Sequence, residues 1–405
     1  MAGRWRNRLD NRRVGTMTKA TKKMDDRIEA QTKTVVVVGS GLYGSVMAER
    51  FANHLGWNVL VLEKRGHVGG NCWSCPDPDT GIEVHAYGPH IFHTSHARGW
   101  KYLNQYTTLN DYRHTVWAAR RGRVYPLPFG LAAINLLTER RLSPEEARAW
   151  VQAEAAKEKI VEAKNLEEKA LSLVGRTLYE AFVKEYTEKH WGMKATELPA
   201  YIITRLPIRY TYNVGYYDDR WQGIPVGGYG ALFARMLNHP RIEIRLNTDY
   251  FAVRGSLPPH DLLVYSGPID QFFGYKHGRL GWRSVRFEKQ VLHKEDFQGT
   301  SVMNECDGSV PHTRTHEFKH FTPELKFEKT VIFREYSYAP RPGDDVYYPV
   351  RTETDLAIHA KYKAEAESIP HVVFGGRLGA YAYLDMDNTV STALETFDGI
   401  HGRLG

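Results

Sequence analysis

A run of four valines, Val35-Val36-Val37-Val38, leads directly into Gly39-Ser40-Gly41-Leu42-Tyr43-Gly44. No other stretch of this chain constrains its fold so tightly. Four consecutive β-branched residues offer no polar face, so they read as a strand buried on both sides, as in a parallel sheet. The glycines have G-x-G-x-x-G spacing, and an apolar helical period follows at Val46, Met47, Ala48, Phe51 and Leu55. In that strand–turn–helix setting Gly39 permits the tight turn, Gly41 lets the backbone approach a pyrophosphate, and Gly44 lets helix and strand pack closely. The helix N-terminus then turns free N–H groups and its positive dipole end towards the phosphates. A second buried strand, Asn58-Val59-Leu60-Val61-Leu62, ends in Glu63. That places an acid about 20 residues past the glycines, where dinucleotide-binding folds receive ribose hydroxyls.

The residues after Glu63 narrow the nucleotide to FAD. Lys64-Arg65-Gly66-His67-Val68-Gly69-Gly70-Asn71 places a second glycine pair where the chain would meet the other end of a long, extended cofactor. This order of Glu and then Gly-Gly resembles the flavoproteins of the amine oxidase and glutathione reductase type. A simple nicotinamide dehydrogenase does not need it.

The length of 405 residues suits two or three domains, and 42% hydrophobic content suits a sizeable core. The net charge of +7 suggests nucleic acid until it is located. Residues 1–33 carry ten basic side chains against four acids, which leaves the rest of the chain close to neutral. The basicity thus belongs to an N-terminal arm that reads as a disordered tail, and no specific nucleic-acid partner is expected. No apolar run approaches the ~18 residues needed to span a bilayer, and no signal-peptide core is visible. The sequence therefore predicts a soluble, cytoplasmic protein. Three cysteines, Cys72, Cys75 and Cys306, argue against a disulfide framework. Cys72 and Cys75 have redox spacing, but Pro76, Pro78 and Gly81 predict a turn rather than the helix such a motif opens, so both read as inert thiols. No carboxylate or cysteine at ligand spacing joins His85, His90 and His93, so no metal site is predicted.

Beyond residue 142 the pattern turns helical. Ser143-Pro144-Glu145-Glu146 is a capping box with proline at the first helical position. Asn165 starts a second helix that stops at Gly175, and Thr177 is expected to cap a third running towards His190. Strand-like runs lie on either side. They include a hairpin turning at Arg121-Gly122, and later Ser284–Glu288 and 329–335, which together suggest an antiparallel sheet. Buried strands of the first kind return at Leu262–Tyr265 and at His371-Val372-Val373-Phe374. The fold class is therefore α/β: a discontinuous Rossmann-like FAD-binding domain with a helical insertion domain and an antiparallel β-sheet domain. The expected boundaries follow from these patterns. The tail covers 1–33. The FAD-binding domain takes 34–108, 223–275 and 349–405. The sheet domain takes 109–130, 205–222 (a mobile loop and strand) and 276–348, and the helical domain 131–204.

Substrate signals are arginines and aromatics. Tyr186 to Gly192 puts two aromatics at a helix end, Arg205-Leu206-Pro207-Ile208-Arg209 follows in a loop, and Arg314 lies in another polar loop. Guanidinium forks match phosphate oxygens, and aromatic platforms suit a nucleobase. On spacing alone, many such residues would be packing or solvated surface.

Several blocks settle that balance. Gly39–Gly44, Glu63–Asn71, Tyr87-Gly88-Pro89-His90-Ile91-Phe92-His93-Thr94 and Tyr186-Thr187-Glu188-Lys189-His190-Trp191-Gly192 resemble the bacterial UDP-galactopyranose mutase family. So do Gln222–Tyr229, Ser266–Gln271, Tyr347-Tyr348-Pro349-Val350 and Phe374–Leu378. They occur in family order from about residue 34 to 395. The resemblance implies an isomerase that interconverts UDP-galactopyranose and UDP-galactofuranose, a precursor of cell-surface galactofuranose. It is redox-neutral but needs reduced FAD, and proceeds through a flavin N5–sugar iminium. That route explains why no nucleophilic triad is visible, since the cofactor carries the covalent chemistry.

Residue by residue, the resemblance implies that Arg205 and Arg314 hold the diphosphate, with Arg205 on a loop that closes over substrate, and that His93 lies beside the flavin ring. Phe182, Tyr186, Thr187, Trp191 and Asn304 match uridine-end or neighbouring substrate positions. Tyr216, Tyr347 and Tyr383 match tyrosines around the phosphates, and His114 lines the sugar pocket. Gly39, Gly41, Leu42, Gly44, Glu63, Lys64, Gly70, Asn71, His90, Arg377, Tyr383 and Asp385 match cofactor-binding positions. Arg209 matches no functional position. Two departures stand out: the family commonly has a small residue at Pro89 and an asparagine at His114. The rival reading is an FAD-dependent oxidoreductase of the amine-oxidase-like fold. The reductant, such as one derived from NAD(P)H, and any homo-oligomer are left open by the sequence.

Overall fold

The computed structural model of the chain describes residues 32–203 and 208–404. The predicted disordered arm up to residue 31, and Arg205, lie outside the described residues.

The valine run forms the middle of a five-stranded parallel sheet. Its order is Val372–Phe374, Leu262–Tyr265, Thr34–Val38, Asn58–Leu62, Ile242–Arg245. The alternation of a strand explains why all four valines are apolar. Val35 and Val37 point into the core beneath helix Leu42–Leu55, while Val36 and Val38 point into a second cluster with Leu60, Leu62 and Tyr265. Helix Leu42–Leu55 ends at Gly56, whose φ of +62° suits a left-handed terminus. It packs on the C-terminal helix Met386–Leu404, with Phe51 and Phe397 edge to face at 5.5 Å.

A seven-stranded sheet lies apart from the first. Its order is Tyr348–Pro349, Trp282–Leu292, Thr330–Tyr338, Arg314–Glu317, Val302–Glu305, Val116–Arg120, Arg123–Leu127. Five of its six pairings are antiparallel as expected. Val302–Glu305, however, runs parallel to Val116–Arg120, with Met303 opposite Trp117. The strands of that pair are separated by the helical insertion and by a return through the other sheet, a path long enough to reverse the chain's direction. The predicted hairpin is present, and Arg121 (φ 48°) and Gly122 (φ 73°) form a two-residue turn that follows the strand twist.

In the helical insertion the capping box is formed: Glu146 N donates to Ser143 Oγ at 3.3 Å, and Ser143 N donates to Glu146 Oε2 at 2.7 Å. Asn165 caps helix Leu166–Leu178 by accepting from Glu168 N. The break at Gly175 is real, with φ 72° and ψ 171°, and a Cβ there would sit 2.5 Å from that of Glu154. Thr177 does not cap, contrary to expectation. The helix restarts at the Gly175 kink, two residues earlier, so Thr177 lies inside it; its hydroxyl donates to Glu154 Oε2 at 2.6 Å, and the chain runs on through a π-helical turn, Tyr179–Val183, into helix Lys184–Trp191.

Candidate active site

The glycine loop builds a slot for an extended dinucleotide. Gly39 adopts φ +90°, and a Cβ on Gly44 would lie 1.9 Å from the Gly39 carbonyl oxygen, so helix and strand meet only because both are glycine. Across the slot a Cβ on Gly70 would come within 2.9 Å of Gly41 Cα. Glu63 is clamped at the end of its strand: Oε2 accepts from Ser40 N (2.9 Å) and Oγ (2.7 Å), and Oε1 from Arg65 N (2.9 Å). A cavity of about 550 Å³ runs from Glu63 and Lys64 past Leu42 and Asn71 to His90 and Arg377. Arg65 donates to Asn71 Oδ1 at 2.9 Å and to Asp345 Oδ2 at 2.6 Å. Its Nη1 is buried and has no partner among the described residues. A bare backbone cradle, a fixed acid and a spare guanidinium donor together fit an adenine dinucleotide with a ring system at its far end. His90 lines that far end, and burial pushes its pKa down to about 4, so the ring is neutral. Cys72 also lines the slot, with its thiol pushed up to about 12 by burial.

A second cluster centres on Arg314. Its Nε donates to Tyr186 Oη at 2.7 Å, and its Nη1 lies 3.8 Å from Glu335 Oε2. Burial disfavours charge on Arg314, but Tyr186 and Glu335 outweigh it and keep the guanidinium charged. Burial likewise pushes the Glu335 carboxyl up, yet Arg314 and His316 hold it well below the usual range. Thr313 Oγ1 (3.1 Å) and His316 Nε2 (3.0 Å) complete its partners. Asn304 stands directly opposite Arg314 in the sheet, and its buried Oδ1 has no partner among the described residues. Residues opposite each other share a face, so an unused acceptor lies beside the arginine.

Lys189 fixes this geometry from behind. Its ammonium donates to the carbonyls of Glu305 (2.7 Å), Asp307 (2.9 Å), Val310 (2.9 Å) and His312 (3.2 Å), tying the helix that carries Tyr186 and Trp191 to the loop before Arg314. Tyr383 stacks on Tyr348 at 5.9 Å, and the Arg377 guanidinium lies over both rings. Asp385 feels His93, Arg377 and Asp219, and burial raises its pKa. Tyr383 and Asp385 thus join this cluster, whereas their neighbours Leu384 and Met386 line the slot. His114 is buried and neutral, pushed down to about 3 by burial. Its Nδ1 lies 3.1 Å from Tyr112 Oη, which lies 2.6 Å from Ser301 Oγ. Tyr216 meets the His114 ring edge-on at 5.5 Å. Trp191 lies against His190 at 5.4 Å, and Thr187 is buried one turn earlier. Phe182 is buried against Tyr125 and Phe129 in the helical core. Tyr347 is buried, and its carbonyl accepts from Arg377 at 3.5 Å.

Among the residues of this cluster that escaped sequence reasoning are Glu335, which holds Arg314, and Tyr217 and Asp219, which hold His93. Glu335 was legible by parity, since Val331, Phe333 and Glu335 alternate onto the buried face of one strand. Arg209 is no bystander either. It donates to the Tyr216 carbonyl at 3.1 Å and pairs with Asp218 at 2.9 Å, pinning the turn that presents Tyr216.

Buried neutral histidines predict an acid limit to stability. His90, His114 and His190 have native pKa values of about 4, 3 and 4, each lowered by burial from 6.5. The unfolded chain binds these protons first, so their contribution is full above pH 6.5 and is lost as pH falls towards 4. Glu335 adds to the loss only below the ordinary glutamate value of 4.5. Melting temperature should drop steeply between pH 6.5 and 4.5, with up to about three protons taken up on unfolding. A flat profile there would contradict the burial of these rings.

The parallel sheet with its glycine cradle and the second sheet with its arginine–tyrosine cluster define a dinucleotide-dependent enzyme of the two-sheet Rossmann-like class. Sequence and structure comparisons narrow that class. A family model described as UDP-galactopyranose mutase matches residues 181–383, and an NAD(P)-binding Rossmann-like domain model matches residues 37–106. The probable UDP-galactopyranose mutase of Klebsiella pneumoniae is 42% identical over 366 residues, covering 90% of this chain and 94% of its own. The dTDP-fucopyranose mutase of Escherichia coli is 39% identical over 365 residues, covering 89% and 96%. A crystal structure of a reduced UDP-galactopyranose mutase superposes with a TM-score of 0.72 at 18% identity, covering 92% of this chain and 96% of that one. The chain belongs to the UDP-galactopyranose mutase family. The resemblance and the fold class expected from sequence are thus borne out.

Proposed function

We propose that the chain interconverts UDP-galactopyranose and UDP-galactofuranose with FAD bound in its reduced form. The observation that carries this reading is Arg314, charged and held by Tyr186 and Glu335, with the unused acceptor of Asn304 beside it. A guanidinium so fixed matches a diphosphate whose negative charge grows as the glycosidic bond breaks, and a fixed donor costs little reorganisation at that moment. Arg205 is proposed as its partner on the diphosphate. Asn304 Oδ1 accepts from the nucleoside, next to Tyr186, Thr187, Trp191 and Phe182. Tyr216, Tyr347 and Tyr383 offer hydroxyls to the phosphates, and the neutral His114 takes a sugar hydroxyl. His93 faces the flavin ring together with His90, Arg377 and Asp385. The reduced flavin, when bound, supplies the nucleophile for the anomeric carbon. The protein's own part is to bind, orient and exclude water.

No helix among the described residues is long and apolar enough to cross a membrane; we place the reaction in the cytoplasm. The dTDP-fucopyranose mutase relative makes the nucleotide and C6 of the sugar the first specificity to compare.

Turnover should require reduced flavin yet consume no reductant. The check is to count reductant equivalents spent per product formed under anaerobic conditions, with UDP-galactofuranose and dTDP-fucofuranose in parallel. Near-zero consumption with turnover of the uridine substrate is expected. Stoichiometric consumption would favour an oxidoreductase, and preference for the thymidine substrate would reassign the specificity.

A further inference from the structure

We infer that Asp219 is a positioning residue that fixes the tautomer of His93, so that a lone pair rather than a proton faces the reacting sugar; this rests on the function proposed above. His93 lies on the short strand Phe92–Thr94, which pairs with Trp221–Gly223. Its Nδ1 is 2.7 Å from Asp219 Oδ2. The other carboxylate oxygen accepts from Ser95 Oγ at 2.8 Å, and Ser95 Oγ itself accepts from Arg220 N at 3.3 Å. The backbone N–H occupies the Ser95 oxygen, so the hydroxyl's single proton points at Asp219. Tyr217 lies flat on the imidazole, with centroids 3.6 Å apart and planes 13° from parallel, which stops the ring from turning over.

The Asp219 oxygen is the acceptor in this contact, so Nδ1 carries a proton, and in the neutral ring the lone pair then lies on Nε2. Among the described residues no polar group pairs with Nε2, and it is not buried as an orphan. His93 lies within electrostatic reach of His114, proposed above to take a sugar hydroxyl, and of Asp385, proposed above to stand beside the flavin ring. There Nε2 accepts a hydrogen bond from a sugar hydroxyl. Asp219 touches no substrate in this account and acts only through the ring.

Ser95 gives the inference a sharp test. In Asp219→Asn the Ser95 proton claims the amide oxygen, which turns the NH₂ towards His93 and forces the ring proton onto Nε2. Adding Ser95→Ala releases the amide, whose oxygen can again accept from Nδ1–H. Ring-nitrogen chemical shifts of ¹⁵N-histidine-labelled, FAD-loaded protein would be read alongside kcat and KM. Wild type should show Nδ1–H. Asp219→Asn should show Nε2–H, with kcat reduced about 10²-fold, the scale of losing one fixed active-site hydrogen bond, and with KM nearly unchanged. The double variant should regain Nδ1–H and at least about tenfold of the lost kcat, which a merely structural role for Asp219 would not give. Nε2–H in wild type overturns the inference without any variant. So does kcat within about threefold of wild type in Asp219→Asn, or a double variant that regains the tautomer but no rate. If wild type shows Nδ1–H but no mutase turnover, the proposed function fails while the dyad stands.

Discussion

Replacing Arg314 with alanine is expected to reduce kcat about 10²–10³-fold, the cost of losing one fixed donor to a developing oxyanion, while FAD stays bound. The cofactor should stay because Arg314 lies on the second sheet, not in the glycine cradle. The loss should be compounded within the site, because Glu335 is 1% exposed and would lose a cationic neighbour. Glu335 keeps Thr313 and His316, so the cost stays below the ~3–5 kcal/mol of a buried charge left unpaired, and the variant should melt at a modestly lower temperature. Arg314→Lys should recover stability better than rate. A point charge can answer Glu335, but it cannot donate to Tyr186 through Nε and to a diphosphate through a fork at once. The checks are single-turnover kinetics, flavin content and melting curves on the same preparations. Arg314→Ala with turnover within about fivefold of wild type would remove this residue from the leaving-group site.

Gly44→Ala is expected to give a protein that retains little or no flavin. The new Cβ would lie 1.9 Å from the Gly39 carbonyl oxygen, a backbone atom with no freedom to yield, so the helix must move off the strand. Overpacking of this kind costs about 1–3 kcal/mol, and it moves the very loop that would face the pyrophosphate. Gly41→Ala separates the two effects. Its Cβ would meet only Gly70 Cα, at 4.0 Å, so the fold should persist while the approach to the cofactor is blocked. Absorbance at flavin wavelengths per polypeptide, with melting temperature beside it, distinguishes them. A Gly44→Ala protein with full flavin content would contradict the cradle described above.

Much of this could be read from the chain before its structure. The valine run announced a strand buried on both faces because a strand's two faces are filled by alternate residues, and here both are apolar. The capping box at Ser143 and the turn at Arg121-Gly122 were legible for the same reason: each is satisfied within a few residues. Thr177 misled because the helix restarts at the Gly175 kink, two residues earlier, so the hydroxyl already lies inside the helix and goes to Glu154 instead of a free backbone N–H.

What stayed hidden is what folding brings together from afar. Asp219 lies 126 residues from His93, and Arg314 lies 128 residues from Tyr186. No local pattern reports such pairs. The parallel pairing of Val302–Glu305 with Val116–Arg120 was hidden likewise, since strand direction in a sheet depends on how intervening elements return the chain. Resemblance to a family supplied positions such as His93 and Arg314, but not the carboxylates that hold them.

The most direct test of the central claim is product analysis of UDP-galactofuranose incubated anaerobically with dithionite-reduced, FAD-loaded protein. Nucleotide sugars would be separated by chromatography and identified by NMR. The account predicts conversion to UDP-galactopyranose until equilibrium, no conversion with oxidised protein, and recovery of the uridine diphosphate intact. Unchanged substrate in the presence of bound, reduced flavin, or an oxidised sugar product, would contradict it.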